Sequence, residues 1–265
     1  MQATLESSTT AKAEPIRFER FQATQEAELQ ERIIAAKKKL GNRLVILGHH
    51  YQQESVYRHA DYTGDSLKLS RFAAETDAEY IVFLGVHFMA EVADILSRSE
   101  QISILPDLSA GCSMADMANL AKVERSRREL SKVLDFDATI TPITYINSAA
   151  DLKAFCGEHG GIVCTSTNAT KIIEWGFRQR EKILFFPDQN LGRWSGYKMG
   201  IPLDQMVVWD PALPMGGLTE EQIKNAKMLL WKGHCAVHQM FREQNITRFR
   251  AEHPDGIVIS HPESP

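Results

Sequence analysis

Short runs of consecutive apolar residues recur along the chain, and each is too short to form a buried helix. The first, Leu44 to Leu47, is typical of a parallel strand that is covered on both faces. Similar runs predict strands at Tyr80 to Leu84, Ile102 to Leu105, Ile140 to Ile146, Gly161 to Cys164, Lys182 to Phe186, Met206 to Trp209 and Gly256 to Ile259.

Between most of these runs, apolar residues return every three or four positions, as they do on the buried face of a helix. Glu26 to Leu40 shows this pattern first, and Gly41 ends it. The same pattern predicts helices at Ser66 to Thr76, Phe88 to Leu96, Ala121 to Leu134, Thr219 to Leu230 and His238 to Glu252. Alternating strands and helices predict the α/β class, with parallel sheets built from right-handed crossover units.

Composition and charge narrow the possible partners. A chain of 265 residues with 43% hydrophobic content predicts two or three globular units. The net charge of −4 and the lack of a basic stripe argue against a nucleic-acid partner. No apolar run is long enough for a signal peptide or a membrane span, so we expect a cytoplasmic protein without a membrane partner.

The four cysteines divide into two pairs by their surroundings. In the cytoplasm they are expected to be thiols or metal ligands, and without a CxxC pair they form neither a zinc ribbon nor a ferredoxin-type run. Cys112 and Cys235 each follow a glycine-containing loop and precede a predicted helix, where thiolate is favoured. Cys156 lies in a helical segment and Cys164 ends an apolar strand, so both are predicted to be buried small hydrophobic residues.

Polar side chains follow nearly every predicted strand, and ligands of α/β sheets bind at these strand ends. The segments are Gly48 to Tyr51, Gly85 to Met89, Ser109 to Cys112, Tyr145 to Ser148, Thr165 to Asn168, Pro187 to Asn190 and His261 to Glu263. None is a GxGxxG or GxxxxGK[ST] loop, which excludes the usual cradles for dinucleotides and nucleoside triphosphates. Hydroxyls, amides and imidazoles at helix N-termini suit a small, multiply anionic substrate. Taken singly, each Ser or Asn is equally typical of a turn or a helix cap.

The order of these segments resembles the quinolinate synthase family over about residues 30 to 265. The matching segments are GHHYQQ (Gly48 to Gln53), GDSL (Gly64 to Leu67), FLGVHFMAE (Phe83 to Glu91), PDLSAGCSMADM (Pro106 to Met117), YINS (Tyr145 to Ser148), CTSTNA (Cys164 to Ala169), PDQNLGRW (Pro187 to Trp194), WKGHCAVH (Trp231 to His238) and HPESP (His261 to Pro265). The resemblance implies condensation of iminosuccinate with dihydroxyacetone phosphate to quinolinate, in NAD biosynthesis. Iminosuccinate would come from an aspartate-oxidising enzyme.

The resemblance also implies a 4Fe-4S cluster held by three cysteines, one from each of three similar domains. Carried over to this sequence, Cys112 and Cys235 are the first two ligands, and the third ligand has no counterpart in this chain. The remaining iron would act as a Lewis acid.

Further residues carry roles by the same resemblance. The predicted substrate contacts are His49, Ser66, Tyr145, Asn147, Ser166, His238, His261 and Glu263. Tyr51, His261 and Glu263 are the predicted catalytic residues, which would move protons during imine formation and dehydration.

The family's domain pattern predicts a flexible tail at residues 1–25 and domains at 26–120 and 121–236, with an insertion loop near 196–217. Residues 237–265 would begin a third domain that is left incomplete. An inactive truncated fragment is therefore one alternative to the active enzyme. A second is a zinc-dependent hydrolase using Cys235, His238 and His49, since the Cys-x-x-His spacing permits zinc binding.

Overall fold

The computed structural model describes residues 21–265, so most of the predicted tail at residues 1–25 lies outside the described residues. The chain divides into two compact units, residues 1–41 and 42–265. In the first unit the structure describes helix α1, Glu26–Leu40. Its first turn carries Glu26 and Glu28 and its last turn three lysines, so both ends complement the helix dipole.

The second unit contains two parallel sheets, which confirms the predicted α/β class. The first sheet has the order β2-β1-β3-β4, with strands β1 (Leu44–His49), β2 (Tyr62–Gly64), β3 (Tyr80–Leu84) and β4 (Ile102–Ile104). The second sheet has the order β6-β5-β7-β9-β8, with strands β5 (Ile140–Tyr145), β6 (Ile162–Cys164), β7 (Lys182–Phe186), β8 (Met206–Trp209) and β9 (Met228–Trp231).

Helices fill most of the connections, as parallel pairing requires. They are α2 (Glu54–Tyr57), α3 (Ser66–Glu75), α4 (His87–Leu96), α5 (Ser113–Met117), α6 (Leu120–Leu130), α7 (Phe136–Thr139), α8 (Ala150–Glu158), α9 (Ala169–Gln179), α10 (Gln189–Lys198), α11 (Glu220–Asn225) and α12 (Glu243–Glu252). Among the described residues, no helix is both long and apolar enough to cross a lipid bilayer.

The second sheet is covered on both faces, which explains its continuous apolar strands. Every residue of β5 and of β7 is buried. Helix α9 approaches this sheet closely at Gly176, where a Cβ atom would lie 2.6 Å from the Cδ1 atom of Ile183 and 2.9 Å from that of Ile143.

One predicted helix is wrong in its second half. Thr219 to Leu230 was expected to be a single helix, but α11 ends at Asn225 and Met228–Trp231 is strand β9. All four residues of β9 are buried, and the strand lies between β7 and β8. The short edge strand β2 also went unpredicted.

Two predictions near the end of the chain need correction. Residues 256–259 are irregular rather than a strand, and Ile257 and Ile259 are 85% and 91% exposed. The predicted helix from His238 is a 3-10 turn, His238–Met240, followed by α12 from Glu243.

The segment predicted as an insertion loop near 196–217 is not one continuous loop. It contains the end of α10, two 3-10 turns and strand β8, which pairs with β9. The apolar pattern at Met206 to Trp209 had predicted this strand, and its pairing with β9 explains why the segment is regular there. The domain limits themselves stay predictions.

Candidate functional site

Strand β1 delivers a histidine and a tyrosine to the carboxyl end of the first sheet. His49 ends β1 and is buried, and its ring centroid lies 3.9 Å from that of Tyr51 and 4.4 Å from that of His50. Burial, aided by the nearby His50, lowers the pKa of His49 to about 4, and Asp65 opposes this shift. His49 is therefore a neutral imidazole at pH 7.

Tyr51 connects His49 to the first cysteine. Its hydroxyl donates to the sulfur of Met89 at 3.8 Å. Tyr51 as a whole is 55% exposed, but partial desolvation of its phenol, with a smaller contribution from Cys112, raises the pKa of Tyr51 to about 12. The Tyr51 phenol therefore stays protonated at physiological pH and can donate a hydrogen bond.

Cys112 stands at the N-terminus of α5, half-buried and within electrostatic reach of two groups from elsewhere in the chain. Burial raises the pKa of its thiol, and Cys235 and Glu263 raise it further. The backbone N–H groups of Met114 and Ala115 act in the opposite direction and favour the thiolate. The thiol of Cys112 thus lies within electrostatic reach of Cys235, 235 − 112 = 123 positions further along the chain.

Cys235, His238 and Glu263 form the most compact group of possible metal ligands. One ligand atom from each lies within 4.8 Å of the other two. The His238 Nδ1 atom is 3.0 Å from Glu263 Oε2, and the rings of His238 and His261 stack with centroids 4.7 Å apart. His261 Nδ1 accepts a hydrogen bond from the Glu263 backbone N–H at 3.3 Å, and burial lowers the pKa of His261.

Tyr145 and Ser166 join this group from the second sheet. Tyr145 ends β5 and pairs with Cys164 at the end of β6, which brings Ser166 to the same sheet edge. Burial raises the pKa of Tyr145 well above its usual value, and the Glu263 carboxylate raises it further. The Ser166 hydroxyl faces the phenol and acts in the opposite direction. Tyr145 is therefore a buried, protonated donor facing Glu263.

The structure brings most of the predicted site residues together through these contacts. They are His49, Tyr51, Cys112, Tyr145, Ser166, Cys235, His238, His261 and Glu263. Ser66 is buried at the start of α3, directly after Asp65, which acts on His49. Asn147 is half-buried two residues after Tyr145, at the carboxyl end of β5. Cys156 and Cys164 are fully buried, as predicted.

Two polar residues beside this group belong to the segment Pro187 to Asn190, which follows a predicted strand, but neither was predicted as a site residue. Asp188 follows β7, is completely buried, and accepts a hydrogen bond from the Leu191 backbone N–H at 2.7 Å. Burial raises the pKa of Asp188 to about 7, and backbone N–H groups, including that of Cys235, oppose this shift. The Asn190 amide donates to the Glu263 backbone carbonyl at 3.2 Å. Their position directly after a buried strand was the available signal.

The loop that carries Cys235 packs tightly against the end of β7. The Gly233 carbonyl accepts a hydrogen bond from the Gln189 backbone N–H at 3.0 Å. A Cβ atom at Gly233 would overlap the carbonyl oxygen of Pro187, so only glycine fits here without a shift of the backbone. The approach of these two loops places Cys235 beside Asp188.

This donor set suits a metal cofactor. The two half-buried thiols of Cys112 and Cys235 lie within electrostatic reach of each other, and an imidazole and a carboxylate group lie beside Cys235. The zinc hydrolase alternative is wrong in naming His49 as the third ligand. Glu263 groups with Cys235 and His238 instead, since the HPES segment folds back against α10.

Comparisons with known proteins identify the family of this chain. The family model described as "Quinolinate synthetase A protein" matches residues 31–265. The curated quinolinate synthase of Rhodopirellula baltica is 53% identical over 257 residues, which is 92% of this chain and 65% of the relative. That of Herpetosiphon aurantiacus is 57% identical over 238 residues, covering 89% of this chain and 64% of the relative. That of Corynebacterium glutamicum is 54% identical over 249 residues, covering 93% of this chain and 63% of the relative.

The chain therefore spans between 63% and 65% of the length of these three curated relatives. The match to the family model covers far more than half of the chain and includes every residue of the site described above. On this basis the chain belongs to the quinolinate synthetase A family.

Proposed function

We propose that this chain takes part in forming quinolinate from iminosuccinate and dihydroxyacetone phosphate, with loss of phosphate and two waters. In this proposal an aspartate-oxidising enzyme supplies iminosuccinate, and a 4Fe-4S cluster has Cys112 and Cys235 among its ligands. The observation that carries the proposal is the grouping of Cys235 and His238 with the buried Glu263, together with Cys112 within electrostatic reach of Cys235 and Glu263.

The two cysteines fit a cluster because of their setting. Both are half-buried, and both pack against the same apolar cluster. Burial raises the pKa of Cys112, and backbone N–H groups at the start of α5 oppose this shift and favour the thiolate form that metal binding requires. When bound, such a cluster supplies a Lewis-acidic iron to the pocket.

The surrounding side chains bind the two substrates. Tyr145 and Ser166 donate hydrogen bonds to a substrate carboxylate, since the raised pKa of Tyr145 keeps its phenol protonated. His49 is neutral at pH 7 and binds the second anionic substrate as a hydrogen-bond donor beside Tyr51. Ser66 and Asn147 complete these contacts at the ends of β2 and β5.

Glu263 is the residue that we assign to proton transfer. It is 3% exposed, and its Oε1 atom has no hydrogen-bond partner within residues 21–265. A buried carboxylate oxygen that is free to accept can take a proton from a bound substrate during condensation or dehydration. His238 and His261 are next to it and can pass the proton on.

The test is an activity assay after anaerobic loading of the chain with iron and sulfide. Iminosuccinate, generated by oxidation of aspartate, is added with dihydroxyacetone phosphate, and quinolinate is quantified by chromatography. We expect quinolinate from the unmodified chain and a loss of at least about 100-fold in Glu263→Gln, as for general acid–base residues. Glu221→Gln, which changes an exposed glutamate of α11, should leave the rate unchanged. A loaded chain that forms no quinolinate contradicts the proposal.

A further inference from the structure

The group formed by Cys235, His238 and Glu263 is not explained by cluster binding alone. One sulfur, one imidazole nitrogen and one carboxylate oxygen lie within 4.8 Å of one another. Only Cys235 belongs to the proposed cluster. Three protein ligands of these types, with a fourth position left open, are the donor set that zinc takes at catalytic sites.

A second observation points to a cation at this place. Glu263 is 97% buried, being 3% exposed, and its Oε1 atom lacks a hydrogen-bond partner in the described part of the chain. His238 Nδ1 is also buried without a directed hydrogen bond in the same range, although it lies 3.0 Å from Glu263 Oε2. Leaving buried polar atoms unsatisfied is costly, and a bound cation would satisfy both atoms.

Neighbouring groups that are not ligands of the proposed metal site hold the three ligand residues in place. The Asn190 amide donates to the Glu263 backbone carbonyl at 3.2 Å, and the His238 ring stacks on His261. The loop before Cys235 is fixed by the hydrogen bond from the Gln189 N–H to the Gly233 carbonyl. Such outer contacts orient metal ligands before the metal binds.

We propose that Cys235, His238 and Glu263 bind one zinc ion when the iron-sulfur cluster is absent. As the S–Zn bond forms, the Cys235 thiol releases its proton to solvent. Cys112 lies within electrostatic reach of Cys235 and Glu263 but does not belong to this group of ligands, so the site does not depend on it. Because Cys235 cannot serve both metals, zinc and the cluster exclude each other; this last statement rests on the proposed function.

Cobalt is the probe, because Co²⁺ occupies zinc sites and gives a thiolate charge-transfer band in the near ultraviolet. The metal-free chain is titrated anaerobically with Co²⁺ and then with Zn²⁺. We expect one equivalent of Co²⁺ to bind with this band, and Zn²⁺ to displace it. Absence of saturable binding overturns the inference.

Variants identify the ligands. Cys235→Ala should abolish the thiolate band, and Glu263→Gln and His238→Gln should each weaken Co²⁺ binding at least about tenfold, the loss that even outer contacts cause. Cys112→Ala should keep one equivalent, and Cys156→Ala, which removes a fully buried thiol elsewhere, should bind as the unmodified chain does. Circular dichroism verifies that each variant is folded. A band that survives in Cys235→Ala, unchanged affinity in Glu263→Gln, or loss of the site in Cys112→Ala contradicts the assignment.

Glu263→Gln also separates this inference from the proposed function, since it keeps both cluster cysteines. If Glu263→Gln loads iron and sulfide but binds Co²⁺ weakly, both proposals stand. If the unmodified chain loads the cluster but does not bind Co²⁺, only the zinc site is wrong. If it binds Co²⁺ but never loads the cluster, the proposed function fails and the zinc site remains.

Discussion

At the scale of single residues, burial determines which groups of the site carry charge. His49 and Tyr51 are neighbours, yet burial lowers the pKa of the histidine to about 4, while partial desolvation of the more exposed tyrosine raises its pKa to about 12. Both are therefore neutral at pH 7.

The lowered pKa of His49 predicts a pH dependence of stability. Between about pH 6.5 and pH 4 the unfolded histidine takes up a proton that the folded one does not, so the free energy of unfolding falls as the pH falls through this window. Above pH 6.5 this contribution to stability is fully present. We expect His49→Gln to lose less stability than the unmodified chain between pH 7 and pH 5.

Urea unfolding at the two pH values measures this difference. His253→Gln, which changes an exposed histidine after α12, is the control and should keep the unmodified pH dependence. An equal loss of stability in His49→Gln and the unmodified chain would show that His49 is not the group responsible.

The sequence identified the candidate metal ligands better than the neighbouring residues that position them. Cys112 and Cys235 could be separated from Cys156 and Cys164 because a loop before a helix differs from an apolar run. Asp188 was missed, since an aspartate at that position is typical of an ordinary helix cap. It is such a cap, but its burial depends on the packing of the Cys235 loop and Glu263, which are distant in sequence.

At the scale of helices and strands, glycines mark the places where helices approach the second sheet. Gly176 of α9 faces Ile143 and Ile183, and Gly192 of α10 faces Phe185 and Leu230 at similarly short range. These glycines lower helix propensity, which explains why neither α9 nor α10 was predicted. The close contact that they allow is visible only in the folded chain.

Gly176→Ala is predicted to destabilise the protein although alanine favours helices. The added methyl group would lie 2.6 Å from Ile183 Cδ1, and overpacking of this kind costs roughly 1–3 kcal/mol. Gly157→Ala in α8 is the matched change, because nothing lies within 4 Å of its new Cβ atom. That variant should be more stable by about 0.5–1 kcal/mol. Urea unfolding of both variants decides, and a stabilised Gly176→Ala would show that α9 does not pack as described.

The N-terminus of helix α8, which packs on the second sheet, is capped by a side chain of α4, which packs on the first sheet. The residue before it, Ala149, has no side-chain acceptor, and Glu91 of α4 accepts from the Ala150 backbone N–H at 3.0 Å. Lys153 of the same helix lies over the Phe88 ring of α4 at 5.7 Å. This contact links the two sheets near the Tyr145 loop.

Glu91→Ala removes this cap and should lower the free energy of unfolding by about 1 kcal/mol, as the loss of other N-cap side chains does. Glu91→Gln keeps an oxygen acceptor and should lose clearly less. Glu124→Ala removes an exposed ion pair with Arg128 at 3.8 Å and should change stability by less than about 0.5 kcal/mol. Equal effects of the Glu91 and Glu124 changes in urea unfolding would contradict the capping role.

At the scale of the whole molecule, the strand pattern predicted where the site lies but not how the chain end reaches it. Parallel strands place their carboxyl ends at one edge of their own sheet, so the polar segments after β5 and β6 were expected to meet. Strand β1 lies in the other sheet, and its segment was expected to join them only through the family resemblance. The apolar run at Gly256 to Ile259 predicted a strand, but a strand needs a partner. Those residues instead run as an irregular segment that carries His261 and Glu263 to the site.

The same segment leaves an apolar groove of about 520 Å³ beside α12, lined in part by Phe249, Ile257 and Ile259. Because Ile257 and Ile259 are 85% and 91% exposed, the double change to serine should alter stability by less than about 0.5 kcal/mol for each residue. It should also reduce the fluorescence of a dye that binds apolar surfaces. Ile95→Ser, at an isoleucine of α4 that is 61% exposed and outside the groove, is the control and should retain most of the dye signal. A large loss of stability in the double variant would show that these side chains are packed.

The central claim is that Cys112, which follows the first sheet, and Cys235, which follows the second, bind the same iron-sulfur cluster. The most direct test is a count of bound iron in cysteine variants. Each variant is loaded anaerobically with iron and sulfide, and its iron content and visible absorption are measured. The account predicts that Cys112→Ala and Cys235→Ala each lose the cluster absorption, while Cys156→Ala keeps the iron content of the unmodified chain. Cluster absorption that persists without Cys112 or Cys235, or that disappears without Cys156, would contradict it.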